Sequence, residues 1–171
     1  IIRQGYGMAM MWDIENGYKD GQDHGMFASS KEPNVDWLNP HPSFYHYYYY
    51  NKCFGDTYYE SHSTSKLIRI HTSTFSSGEI GIVAINISSE EEVLSLNIKN
   101  KNTGNIAGVF ELSSDSPSSR KVAINSTVTN KEAGGPQNFL KIKANKIEIR
   151  DNNLKLNLKP YSANYIVIEN D

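Results

Sequence analysis

Cysteine is nearly absent: Cys53 is the only one in 171 residues. No intrachain disulfide is possible, and cysteine usage says nothing about compartment. At the end of an aromatic segment, Cys53 reads as a packed thiol rather than a nucleophile. Long apolar runs are missing too. None approaches the roughly 20 residues that cross a bilayer, so no membrane partner is expected. Charge of one sign is also lacking: 17 basic residues face 19 acidic ones, a net of −2. That balance makes no electrostatic case for nucleic acid. The sequence contains no Gly-rich phosphate loop and no Gly-x-Ser-x-Gly elbow. His41, His46, His62 and His71 are scattered without ligand spacing, so the reading assigns no metal and no cofactor.

What the chain does have is tyrosine, eleven in all, many of them clustered. Tyr and Trp suit surfaces that are apolar yet able to hydrogen-bond, sugar-binding surfaces included, although they are also common in β proteins. From about Thr57 onward, short apolar segments alternate with turn signals. Lys66 to Thr72 and Glu79 to Ile87 flank the turn Ser76-Ser77-Gly78. Leu94, Leu96 and Ile98 alternate with polar residues, as do Leu154, Leu156 and Leu158 after the turn Asp151-Asn152-Asn153. Val109 to Leu112, the Ile147/Ile149 pair and Tyr165 to Ile168 complete a set of about eight strands. Strands at this spacing imply a two-sheet sandwich. Glu90-Glu91-Glu92 reads as a charged turn. Asn86-Ile87-Ser88 and Asn125-Ser126-Thr127 match the glycosylation acceptor pattern, which recurs by chance.

The opening is different. Met8 to Met11 is apolar and breaks abruptly into Trp12, Asp13, Glu15 and Asn16. This reads as a buried strand, Ile2 to Ile14, delivering polar side chains at its C-terminal end. In parallel α/β architectures that end is the ligand-binding face. A polar loop from Tyr18 to Asn39 leads to an aromatic helix from about Ser43 to Cys53. Pro42 suits its first turn and Gly55 a C-terminal cap. The expectation is a mainly β chain: residues 1–56 as the tail of one α/β domain, and residues 57–171 as an antiparallel β-sandwich. Because Ile1 falls inside an apolar strand pattern, the N-terminal part of the polypeptide is expected to be missing.

The arrangement resembles the C-terminal end of retaining (β/α)8-clan glycoside hydrolases that carry a β-sandwich after the barrel. Met10-Met11-Trp12-Asp13 looks like the eighth barrel strand, whose Trp often lines a sugar subsite. Pro42-Ser43-Phe44-Tyr45, with Tyr48 and Gly55-Asp56, looks like the last barrel helix and its exit. The run from Glu79 to Asn86 resembles a sandwich strand ending at Asn. Leu158 to Ala163 resembles the Pro-x-Ser lead-in to the final strand of such domains. Gly134-Gly135-Pro136 with Ile142-Lys143-Ala144 looks most like the agarases and porphyranases. A whole barrel needs about 250 residues, so only its last strand and helix fit here. The clan's acid/base and nucleophile glutamates belong to the fourth and seventh strands. No residue here inherits a catalytic role.

Asp13 and Glu15 share a face of the expected strand, with Cα atoms about 6.6 Å apart. A retaining glycosidase needs two carboxyl groups roughly 5 Å apart. Carboxylates at a strand end more often bind backbone N–H groups or sugar hydroxyls, and that reading is favoured. Trp12 serves either as a sugar-stacking platform or as core packing. Asp20, Asp23 and His24 offer ligands to hydroxyls or a cation. Their spacing matches no EF-hand or zinc pattern, so a solvated loop is favoured. The candidate substrate-binding residues are therefore Trp12, Asp13, Glu15, Asp20 and His24.

The resemblance implies a C-terminal fragment of a polysaccharide-cleaving enzyme, inactive alone, whose partners are a poly- or oligosaccharide and the missing barrel portion of the same polypeptide. It also implies a secreted, periplasmic or cell-surface setting. The alternative is a non-enzymatic carbohydrate-binding or cell-surface β-sandwich module.

Overall fold

The computed structural model describes residues 13–19, 23–101 and 103–170. The strand expected over Ile2 to Ile14 lies outside them except for its last two positions. The helix falls where its prolines place it: α1 spans Pro42–Cys53, with proline in its first turn. The strands are β1 (Thr57–Tyr59), β2 (Ile68–Thr74), β3 (Ile80–Asn86), β4 (Glu92–Asn97), β5 (Ile106–Ser113), β6 (Ala123–Ile124), β7 (Asn145–Glu148), β8 (Asn153–Leu158) and β9 (Ser162–Ile168).

The main sheet runs β1-β2-β3-β9-β5-β6, and β7 pairs with β5 alongside β6. A second sheet consists of β4 and β8. Every pairing between these strands is antiparallel. The chain is thus a mainly β sandwich. Asp151 and Asn152, with φ of 50° and 58°, form the tight turn that carries the chain from β7 in one sheet to β8 in the other.

The main sheet is buried on both faces, which explains why β3 reads as a continuous apolar run rather than an alternation. Toward the small sheet, Ile80, Ile82, Val109, Ile166 and Ile168 pack against Leu94, Leu154 and Leu158. Each fully buried aliphatic side chain contributes about 1.5–3 kcal/mol. On the opposite face Val83, Phe110, Leu112 and Tyr165 pack against Tyr45, Tyr49 and Cys53 of α1. Those three are spaced four apart and so form one stripe of the helix. Tyr49 lies 4.7 Å from the Phe110 ring and 6.1 Å from Tyr165, centroid to centroid. Burial pushes the Cys53 thiol up to about 11, consistent with a packing role. The Tyr165 hydroxyl and His46 Nδ1 share a hydrogen bond of 2.9 Å. Burial lowers the pKa of that imidazole, which favours its neutral form.

Gly55 is not the left-handed cap expected from its position. Phe54 caps the helix in an extended conformation. Gly55 is needed for a different reason: a Cβ there would come within 2.4 Å of the Thr74 carbonyl. Gly81 of β3 is equally constrained, since its Cβ would meet the Cys53 carbonyl oxygen at 2.4 Å. Ser73 stitches the junction, accepting from Gly55 N–H at 2.8 Å and donating to the Gly81 carbonyl at 3.1 Å.

Both glycosylation-pattern asparagines are committed internally. Asn86 is buried, and its amide donates to the carbonyls of Glu90, Leu158 and Lys159. Asn125 donates to the Lys143 carbonyl and accepts from Glu111 N–H.

Candidate functional site

The segment before α1 is organised by hydrogen bonds rather than by apolar burial. Met26 and Phe27 donate to the carbonyls of Asp13 and Ile14, at 3.0 and 2.9 Å, and Phe27 bridges Glu15 in parallel. A second bridge joins Phe27 to Pro40. The short apolar segment Met26–Ala28 thus extends the pairing that begins at Asp13. Gly25 and Met26 lie beside the start of the helix, their carbonyls bonded to the His41 ring and to His41 N–H.

Around this fold-back lies a cleft of about 360 Å³ lined by Tyr18, Asp23, His24, Glu32, His41 and Arg120, among others. Glu32 is its organising residue, with only 2% of its side chain exposed. One oxygen is paired with the guanidinium of Arg120, which reaches over from the sandwich. The other accepts from His41 Nε2 at 2.9 Å, while His41 Nδ1 donates to the Gly25 carbonyl at 2.7 Å. Both ring nitrogens of His41 thus face oxygen atoms, of Gly25 on one side and Glu32 on the other. Asp23 accepts from Gly25 N–H at 2.8 Å and Ser29 N–H at 2.9 Å. Desolvation acts to raise the Asp23 carboxyl. These backbone donors and the nearby His41 outweigh it and hold the group below its ordinary value.

Asp23, Glu32 and His41 bring potential ligand atoms within 4.8 Å of one another. Those atoms are already committed to backbone groups, to each other or to Arg120, whose charge opposes a cation. The arrangement is an ion network that ties three chain segments together and floors a polar cleft. Half of the Arg120 side chain, 51%, remains exposed at the rim. The cleft is suited to binding hydroxyl-rich ligands through charge-assisted hydrogen bonds.

The sequence-derived residues divide as follows. His24 is exposed and lines the cleft. Asp13 is half-buried, and its Oδ1 has no hydrogen-bond partner among the described residues. Glu15 is exposed and accepts from Trp37 Nε1 at 3.1 Å. Trp12 and Asp20 lie outside the described residues. Glu32, His41, Arg120 and Trp37 were not singled out from sequence as sugar-binding candidates. For Glu32 and Arg120 no local signal exists, because 88 positions separate the pair. Trp37 did carry one: a tryptophan in a polar loop is a conspicuous apolar surface.

No protein-family model and no curated protein matches the chain. Its fold is nevertheless shared with parts of larger solved structures, glycoside hydrolases among them. The arabinose-bound α-L-arabinofuranosidase MgGH51 superposes with a TM-score of 0.62 at 16% identity, over 86% of this chain and 21% of that one. A bifunctional glucanase-xylanase from a metagenome library gives 0.58 at 18% identity, over 79% and 24%. A glycoside hydrolase family 30 subfamily 8 xylanase from Clostridium acetobutylicum gives 0.56 at 15%, over 87% and 32%. The chain therefore spans between about a fifth and a third of the length of these enzymes. At such identities the likeness is one of fold.

Proposed function

We propose that this chain is the C-terminal portion of a polysaccharide-cleaving glycoside hydrolase. Residues 1–56 supply the last β/α unit of a (β/α)8 barrel, and residues 57–171 form a non-catalytic sandwich. The observation that carries this reading is the overlap: most of this chain, and only a minor part of each enzyme, is matched. Asp13, Glu15 and His24, with Trp12 and Asp20, contribute one edge of the sugar cleft. Catalysis proceeds by covalent double displacement on two carboxylates that lie upstream of Ile1. The substrate is a xylan-, glucan- or galactan-type polymer met outside the cytoplasm, with agar and porphyran as specific candidates.

Two assays test this. The chain extended upstream to a full barrel is expected to hydrolyse at least one of xylan, arabinoxylan, xyloglucan, agar or porphyran. The chain Ile1–Asp171 alone is expected to be inert. Turnover by Ile1–Asp171 that disappears in Asp13→Asn or Glu15→Gln would overturn the fragment reading.

A second reading, a self-contained carbohydrate-binding module, is favoured by one observation. The aromatic helix is already buried on the sandwich, and the loop before it is pinned there through Glu32–Arg120 and Asp36–Lys131. Solution size and hydrophobic-dye binding separate the readings. A compact monomer that binds no dye favours the module, and exposed apolar surface favours the fragment.

A further inference from the structure

Trp37 is the exposed aromatic with the largest ring system among the described residues, at 62% accessibility. Three features show that it is displayed rather than left over. Its indole N–H is fixed by Glu15 Oε1 at 3.1 Å, which anchors one edge of the ring while most of the residue stays exposed. It occupies a turn closed by Asn39 N–H on the Asp36 carbonyl at 3.0 Å. The next residue in that turn, Leu38, has a φ of 61°, in the left-handed region that favours glycine or asparagine. A backbone strained at that point sets the direction in which Trp37 projects. Beside it lies a cleft of about 290 Å³, bordered by Asp36, Lys131, Gln137, Tyr45 and Phe139. Clefts for drug-sized ligands hold roughly 300–1,000 Å³, so this one is at the small end of that scale.

We infer that Trp37 is the stacking platform of an outlying sugar subsite, taking one neutral pyranose unit of an oligosaccharide. The apolar face of the ring would lie on the indole, and Asp36, Lys131 and Gln137 would serve its hydroxyls. A pyranose has this same division, one C–H face and a polar rim, which is the type of ligand an amphipathic aromatic recognises. Glu15 belongs to both this subsite and the cleft edge described above. The assignment to a cleft therefore rests on that reading, whereas sugar binding as such does not. Burial by a missing barrel is the rival explanation for the exposed indole. The location argues against it: Tyr45, Phe139 and Lys131 border the side of α1 that faces the sandwich, while Tyr47 and Asn51 mark the outward side.

Affinity electrophoresis of the full chain tests the inference, with soluble xylan, xyloglucan and agarose as probes in the gel. At least one polymer is expected to retard the wild type. Trp37→Ala should weaken that binding at least tenfold without shifting the melting temperature, and Trp37→Phe should restore part of it. Gln137→Ala, an exposed change that leaves the turn intact, should weaken binding about threefold. Equal retardation of wild type and Trp37→Ala overturns the inference, as does failure of all three polymers to retard the wild type. In the upstream-extended chain, acrylamide quenching that differs between wild type and Trp37→Phe reports Trp37 alone. Loss of that quenching would mean the barrel covers the indole, and would also overturn the inference. Hydrolysis by the extended chain is scored separately. Hydrolysis without Trp37-dependent binding sinks the subsite alone, and binding without hydrolysis sinks the fragment reading alone.

Discussion

The two faces of the main sheet are covered in different ways. One is aliphatic: Ile, Leu and Val of the main sheet, closed by the second sheet of β4 and β8. The other is aromatic, with Tyr45 and Tyr49 of the helix laid over Phe110 and Tyr165. Any sandwich makes the first kind of core from its own strands. The second exists only because an element from the preceding segment is laid onto the sheet. The aromatic face is therefore the seam between the two expected domains, and it is packed as tightly as an interior.

If the seam is a true core, Tyr49→Ala should cost about 3–5 kcal/mol, matching the range for Ile166→Ala on the aliphatic face at about 2–5 kcal/mol. Both variants should still unfold in one transition by denaturant titration. A Tyr49→Ala protein that unfolds in two steps would break the comparison, making the helix a separate cooperative unit.

Gly81→Ala sharpens it. The added methyl meets the backbone carbonyl of Cys53, not a flexible side chain. A cost of up to about 3 kcal/mol is expected, with loss of near-ultraviolet dichroism from the tyrosines.

The polar junction should be weaker than either core. Arg120→Ala leaves buried Glu32 with His41 as its remaining side-chain partner among the described residues, at an expected cost of about 2 kcal/mol. Its signature is local: faster amide exchange at Gly25, Ser29 and Glu32, with the sandwich amides unchanged.

The smallest effect is on the pH profile. The His46 pKa is depressed in the folded chain by burial. The unfolded chain therefore takes up the proton first as pH falls. Stability is intact above the ordinary value of 6.5 and declines as pH drops from there toward the folded pKa. Replacing His46 with Gln should flatten this decline between pH 7 and 5. An unchanged slope would mean that His46 does not contribute to it.

Much of this architecture was legible in the chain. Pro42 fixed where α1 begins, and alternation in β4 and β8 announced strands with one buried face, though not that the two pair with each other. β3 could be placed by its length and flanking turns even though it does not alternate. Gly55 misled, because a local capping rule was applied where a distant strand, β2, sets the requirement. The site was less legible. His24 and Asp23 stood out in a Gly-punctuated loop, but their neighbours Glu32, His41 and Arg120 converge only through tertiary structure. His41 has no ligand spacing in sequence, yet it comes to rest between two acceptors. Short-range patterns reveal elements, while ion networks assembled from distant segments leave no periodic trace.

Because Arg120 belongs to the sandwich and Glu32 to the loop before the helix, the loop takes its bearings from a residue 88 positions away in sequence. Grafting a different β-sandwich behind residues 13–56 would remove the peg on which the rim of the cleft hangs. Chimeras that keep position 120 as arginine are expected to keep amide protection at Gly25, Ser29 and Glu32, and those that lose it to lose that protection.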